Sequence, residues 1–303
     1  MDRRTFLSTL SLGALAVGLN GCGSQDVQRT LSGSGQDVTA PNFLLSATVA
    51  AALARSGALL LAAESQVEPH PAPLLGGAIR VDVDALTLLT EQANGLTDLS
   101  ALQAFFQAVG VQDQKPVIVY DDGEMKFAAR VRFLLGYCGA APTWMVNGGS
   151  NALQPQLPAG GGIATPSGFQ ARPTNTPIAL VFQSEVAAAL KGTAKIVDVR
   201  TPAEFTGQFL LPGDARPGHI PGALNLPVES LFAQGLIASD QQLLATFSAA
   251  GLNLADRMIV YCHDGAKSSL AATLLVQAGF ANVNLYYLSY RDWSQNPALP
   301  VEI

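Results

Sequence analysis

Four apolar residues, Met258-Ile259-Val260-Tyr261, run unbroken into Cys262-His263-Asp264-Gly265-Ala266-Lys267-Ser268, and a helical pattern then extends to Ala278. A short apolar run, a glycine-containing turn and a helical pattern read as a buried strand, a tight loop and a helix N-terminus. Upstream, 184–190 reads as helix, 195–200 as a buried strand and 222–227 as another. An earlier region repeats this order: helix at 46–53, strands at 58–63, 77–81 and 116–120, helix at 127–135. The alternation predicts an α/β fold of two tandem domains, each a mostly parallel central sheet flanked by helices. Sites in such sheets lie at the carboxyl ends of strands, where Asp198, Arg200 and Cys262 fall.

Low-complexity stretches set the boundaries. A Gly- and Pro-rich segment, 158–177, separates a first domain at 41–157 from a second at 178–303. Residues 22–40, rich in Gly, Ser, Gln and Asp, read as a flexible tether. Residues 1–21 have a charged start, a short apolar middle and a small-residue exit, the order of an export signal too short for a mature membrane span. Arg3-Arg4 before Thr5-Phe6-Leu7 resembles a twin-arginine signal, and Leu19-Asn20-Gly21-Cys22 resembles a bacterial lipobox. The expectation is a lipoprotein cleaved before Cys22, lipidated on its sulfur and held at the periplasmic face of a membrane. Gly23 stands where an inner-membrane retention signal would have Asp, which favours the outer membrane.

Composition narrows the partners. Formal charge is −6 and only 13% of residues are charged, so the clustered Lys and Arg of a nucleic-acid surface are missing. With Cys22 lipidated, only Cys138 and Cys262 remain, too few for a disulfide framework. Cys138 ends an apolar helix and reads as core, the reading composition alone would also give Cys262. The loop after Cys262 argues otherwise, because backbone N–H groups and the positive end of a helix dipole converge on its sulfur and favour the thiolate. With one half laid on the other, Ala62 stands for Asp198, Glu64 for Arg200 and Asp121 for Cys262. Taking Phe127 as the match of Leu270 makes the first turn shorter, six positions against eight. The first half therefore reads as inactive.

These residues resemble the rhodanese family of sulfurtransferases, in the two-domain form whose C-terminal domain alone is catalytic. The segments are Ile196-Val197-Asp198-Val199-Arg200-Thr201-Pro202-Ala203-Glu204-Phe205, Gly218-His219-Ile220-Pro221-Gly222-Ala223-Leu224-Asn225-Leu226-Pro227, the Cys262 loop and 288–293; in the first half, 117–120, Ala128-Ala129-Arg130-Val131 and Asn147-Gly148-Gly149. The resemblance implies two tandem rhodanese-like domains and a thiolate at Cys262 that takes sulfur from a small donor, thiosulfate or 3-mercaptopyruvate. The resulting persulfide passes its sulfur to cyanide, a thiol or a protein acceptor. No cofactor and no metal are implied, and Cys262 with His263 lacks ligand spacing for zinc.

The substrate side is assigned to Arg200 and to His263, Asp264, Gly265, Ala266, Lys267 and Ser268, whose amides would cradle a charged sulfur. Arg200 either faces substrate or pairs with Glu204 four residues on. Lys267 reads as a cation for the thiolate or donor, or as a solvated lysine. Asp198 is expected to fix the loop or cap N–H groups, His219 to bond backbone within its turn, and His263 to tune the site or point outward. His70, among prolines, reads as inert. Asp264 would repel a dianionic donor if it faced the pocket, so the donor stays open. A phosphatase is disfavoured because an arginine would be needed six positions after the cysteine, where Ser268 stands. A tethered sulfur carrier with little turnover is the remaining alternative.

Overall fold

The computed structural model describes residues 42–303 apart from 69–70, 141, 175 and 193. The export signal, Cys22, the tether and His70 lie outside the described residues. The first half contains β1 (Leu44–Leu45), α1 (Ala47–Arg55), β2 (Leu59–Glu64), β3 (Ile79–Asp82), α2 (Val83–Thr90), α3 (Ser100–Ala108), β4 (Val117–Tyr120), α4 (Lys126–Tyr137), β5 (Thr143–Val146) and α5 (Gly149–Leu153). The second contains β6 (Ile178–Val181), α6 (Gln183–Ala189), β7 (Lys195–Asp198), α7 (Pro202–Phe205), β8 (Leu224–Asn225), the ribbon β9 (Phe232–Ala233) and β10 (Leu236–Ile237), α8 (Asp240–Ala249), β11 (Arg257–Tyr261), α9 (Ala266–Gln277), β12 (Asn282–Tyr286) and α10 (Ser289–Gln295). Each half forms a five-stranded sheet, ordered β1-β5-β4-β2-β3 and β6-β12-β11-β7-β8. All strand pairs in both sheets are parallel.

The sheets repeat in register as well as order. Ala62 pairs with Tyr120 in the first, and Asp198 pairs with Tyr261 in the second. The two tyrosines do the same work: the Tyr120 hydroxyl accepts from Leu75 N–H, and the Tyr261 hydroxyl from Ile220 N–H. A parallel strand is covered on both faces, so its sequence is a run of apolar residues rather than an alternation. In β11, Met258 and Val260 enter one core and Ile259 and Tyr261 another. In β4, Val117 and Val119 enter the first of these, and Ile118 and Tyr120 a third.

The shared core holds α4 and α9, which pack on each other and join the two halves. Every residue of α9 except Lys267 is buried. A helix enclosed on all sides carries no single apolar stripe. The segment at 158–177 is strapped to the first half: Gly160 and Gly162 N–H groups donate to Leu74 and Ala78 carbonyls, and Phe169 packs edge-on against Phe106. No helix among the described residues is long and apolar enough to cross a membrane.

Candidate active site

Cys262 follows the last residue of β11 and is only 1% exposed. The turn behind it brings Gly265 N–H to 3.2 Å from Sγ, and α9 begins at the next residue. Gly265 has φ +99°, and a Cβ there would lie 2.5 Å from the Tyr287 carbonyl oxygen, so glycine is required. The N-terminal N–H groups of α9, with the positive end of its dipole, thus gather around the turn that carries the sulfur. Behind the sulfur, Ser289 Oγ accepts from Cys262 N–H at 3.1 Å and donates to the Tyr286 carbonyl at 2.9 Å. Ser289 adopts φ +61°, an uncommon left-handed conformation for a residue with a side chain. Tyr290 and Arg291 N–H groups then donate to the Cys262 and His263 carbonyls.

Charged side chains from both halves converge on the loop. Arg130 of α4 donates through Nη2 to the Asp264 carbonyl at 2.8 Å and pairs with its carboxylate at 2.8 Å. Burial works to raise the Asp264 pKa, but the Arg130 charge and hydrogen bond outweigh it and hold the carboxyl well below the usual range. His263 lies between Asp214, 3.1 Å from Nδ1, and Arg291, whose Nη2 is 2.9 Å from Nε2. An arginine only donates, so Nε2 accepts, while Nδ1 and the nearby Asp214 Oδ1 are buried without a hydrogen-bond partner. Arg291 also pairs with Glu91 of the first half. Arg200, 4.0 Å from Asp214, is clamped by Asp198 through Nε and Nη2, and its guanidinium stacks 4.0 Å from the Tyr290 ring centre. Polar and charged side chains therefore succeed one another from Glu91 past His263 and Asp214 to Arg200 and Asp198.

The first half shows what this turn does when a carboxylate occupies it. Asp121 follows β4 as Cys262 follows β11, and its carboxylate accepts four backbone N–H bonds, from Gly123, Met125, Phe127 and Ala128. Burial still pushes this carboxyl up to about 6. Ser150 N–H donates to the Asp121 carbonyl as Tyr290 N–H does to Cys262, and Gly149, φ +55°, stands where Ser289 does. The first-half turn thus cradles a carboxylate in four N–H groups, where the second-half turn directs the Gly265 N–H at the sulfur.

A family profile described as Rhodanese-like domain matches residues 182–296. The 3-mercaptopyruvate sulfurtransferase of Escherichia coli is 30% identical over 230 residues, covering 75% of this chain and 82% of that protein. The putative thiosulfate sulfurtransferase SseB of Mycobacterium tuberculosis is 31% identical over 212 residues, 67% and 72% of the two chains. The crystal structure of SseA, a 3-mercaptopyruvate sulfotransferase of Escherichia coli, superposes with TM-score 0.69 at 25% identity, covering 82% of this chain and 99% of that one. The chain belongs to the rhodanese-like sulfurtransferase family.

In this rhodanese-like chain several assignments made from sequence change. Arg200 does not pair with Glu204, because α7 starts after Arg200 and the two never share a helix. Glu204 instead closes a capping box with Thr201. Arg200 is 1% exposed and is held by Asp198 and the Gly218 carbonyl. Asp198 thus anchors an arginine in addition to accepting Arg200 N–H. Lys267 leaves the sulfur and pairs with Glu229 at 3.0 Å, since its position on α9 faces outward. Asp264 pairs with Arg130, and His263 accepts from Arg291 through Nε2, with Nδ1 3.1 Å from Asp214, rather than pointing outward.

The first-half turn is not shorter. Helices α4 and α9 have equal length, with Gly139 and Gly279 both left-handed just beyond them, so Lys126 matches Ala266 and the Asp121 turn is one residue longer. His219 sits in its turn, where Nδ1 donates to the Phe205 carbonyl at 2.8 Å and the ring stacks on Phe205. Ser268 Oγ is buried with no partner, and Ala266 N–H donates to the Asp264 carboxylate. Sequence reading missed Arg130, Asp214, Ser289, Arg291 and Glu91 as parts of the site. Two arginines, Arg130 and Arg132, inside the otherwise apolar run 127–135 were the one signal that could have exposed Arg130.

Proposed function

We propose that Cys262 is the nucleophile of a sulfur transfer that passes through a persulfide. The Cys262 thiolate attacks the outer sulfur of thiosulfate or the thiol sulfur of 3-mercaptopyruvate, a sulfur–sulfur bond forms, and the bond from that sulfur to the rest of the donor breaks, the pair leaving with the remainder. Thiosulfate would leave sulfite; 3-mercaptopyruvate would leave pyruvate, its thiol proton ending on the methyl carbon. Cyanide or a thiol then takes the outer sulfur and restores the thiolate. The observation that carries this reading is the turn at the start of α9 that directs Gly265 N–H at Sγ, in the place where the first-half turn holds a carboxylate. Such an N–H group is preorganised for a sulfur that carries negative charge through both steps.

Purified protein is expected to form thiocyanate from cyanide with at least one of the two donors, and Cys262→Ser to form none. Equal inactivity of both proteins with both donors would refute the reading and favour a dedicated carrier. We further propose export and lipid attachment at Cys22. Metabolic labelling with a fatty acid, lost in Cys22→Ala, tests this.

A further inference from the structure

Solvent reaches the Cys262 loop past three side chains, those of His263, Asp264 and Lys267; Cys262, Gly265, Ala266 and Ser268 are buried. A donor approaching the sulfur meets these three first, and each is already matched. Lys267 is paired with Glu229, His263 lies between Asp214 and Arg291, and Asp264 is paired with Arg130. Arg291 and Arg200 behind them have their own carboxylates in Glu91 and Asp198. The cations around this loop are therefore balanced, and a second negative charge on the donor would find none in excess.

Arg130 differs from the others because it comes from the half without a thiol and is itself 2% exposed. Its Nη1 reaches Thr87 and its Nη2 reaches Asp264, while Nε is buried with no acceptor. Asp264 is two residues beyond Cys262 within the turn that returns Gly265 N–H to the sulfur, which brings the guanidinium to the same end of the strand.

We propose that Arg130 is the donor-selecting cation of the Cys262 site and that Asp264 sets its strength. Resting on the sulfur-transfer reading, this means that the paired guanidinium admits donors with a single negative charge, the α-keto thiols, over dianionic thiosulfate. Replacing the Asp264 carboxylate with an amide keeps the shape and releases one positive charge beside the sulfur.

The test uses the full chain and two pairs of probes. The first pair, iodoacetate and iodoacetamide, alkylates Cys262 with and without a negative charge, so the ratio of their rates reads local charge whether or not the protein transfers sulfur. The second pair is thiosulfate and 3-mercaptopyruvate, compared as kcat/KM. Both ratios cancel any loss of folded protein.

In Asp264→Asn the iodoacetate-to-iodoacetamide ratio should rise at least threefold, and the thiosulfate-to-mercaptopyruvate ratio about tenfold, a difference of about 1.4 kcal/mol. The change should appear mainly in the KM for thiosulfate. Arg130→Lys on the Asp264→Asn background keeps the charge and should retain most of the gain, whereas Arg130→Gln should abolish it. An unchanged alkylation ratio in Asp264→Asn, or a donor ratio unmoved while both donors react, would overturn the proposal and leave sulfur transfer intact. A raised alkylation ratio in a protein that uses neither donor would uphold the Arg130 charge and refute the sulfur-transfer reading.

Discussion

Asp121 and Cys262 occupy the same place at the ends of the two central strands, and Asp121 already fills its turn with a carboxylate bound by four N–H groups. Asp121→Asn would turn one of two acceptor oxygens into a donor facing other donors. The expected cost is about 1–3 kcal/mol, because buried N–H groups lose their partners. Denaturant unfolding checks this, and the per-molecule activity of folded protein should be retained.

Ser289 holds the Cys262 backbone at the cost of a left-handed conformation. Ser289→Ala loses the acceptor and keeps the strain, for about 1–3 kcal/mol. Ser289→Gly loses the same acceptor but relieves about 1 kcal/mol of strain. Alanine should therefore be the more damaging substitution, the reverse of helix propensity, and thermal unfolding of the two variants gives the order.

Gly265→Ala meets both a left-handed φ and a Cβ 2.5 Å from the Tyr287 carbonyl. The turn must move, taking its N–H away from Sγ. The expected result is a loss of at least about 2 kcal/mol of stability together with most of the activity, read by calorimetry and thiocyanate formation.

Much of this arrangement was legible in the chain. The all-apolar strand ending at Cys262, the glycine three residues on and the repeat at Asp121 are local signals, and they led to the two parallel sheets. The Arg130–Asp264 pair was not legible, because its members are 134 residues apart and only the packing of α4 on α9 joins them. That packing also hid the correct alignment of the two turns. Helices buried on nearly every face accept several registers, and only their observed ends show that Lys126 matches Ala266.

The same pair gives a pH dependence. The Asp264 carboxyl is held below its unfolded value, so its contribution to stability is present above about pH 4 and is lost as pH falls through the folded value. Wild type should exceed Asp264→Asn in unfolding free energy at pH 7, and the gap should close progressively below pH 4, as seen in unfolding curves at stepped pH.

The most direct measurement of the central claim is intact-protein mass spectrometry after brief exposure to 3-mercaptopyruvate without an acceptor. Wild type should gain one sulfur on Cys262, cyanide should remove it as thiocyanate, and Cys262→Ser should gain nothing. An added sulfur that persists in Cys262→Ser, or none in wild type with either donor, would contradict the account.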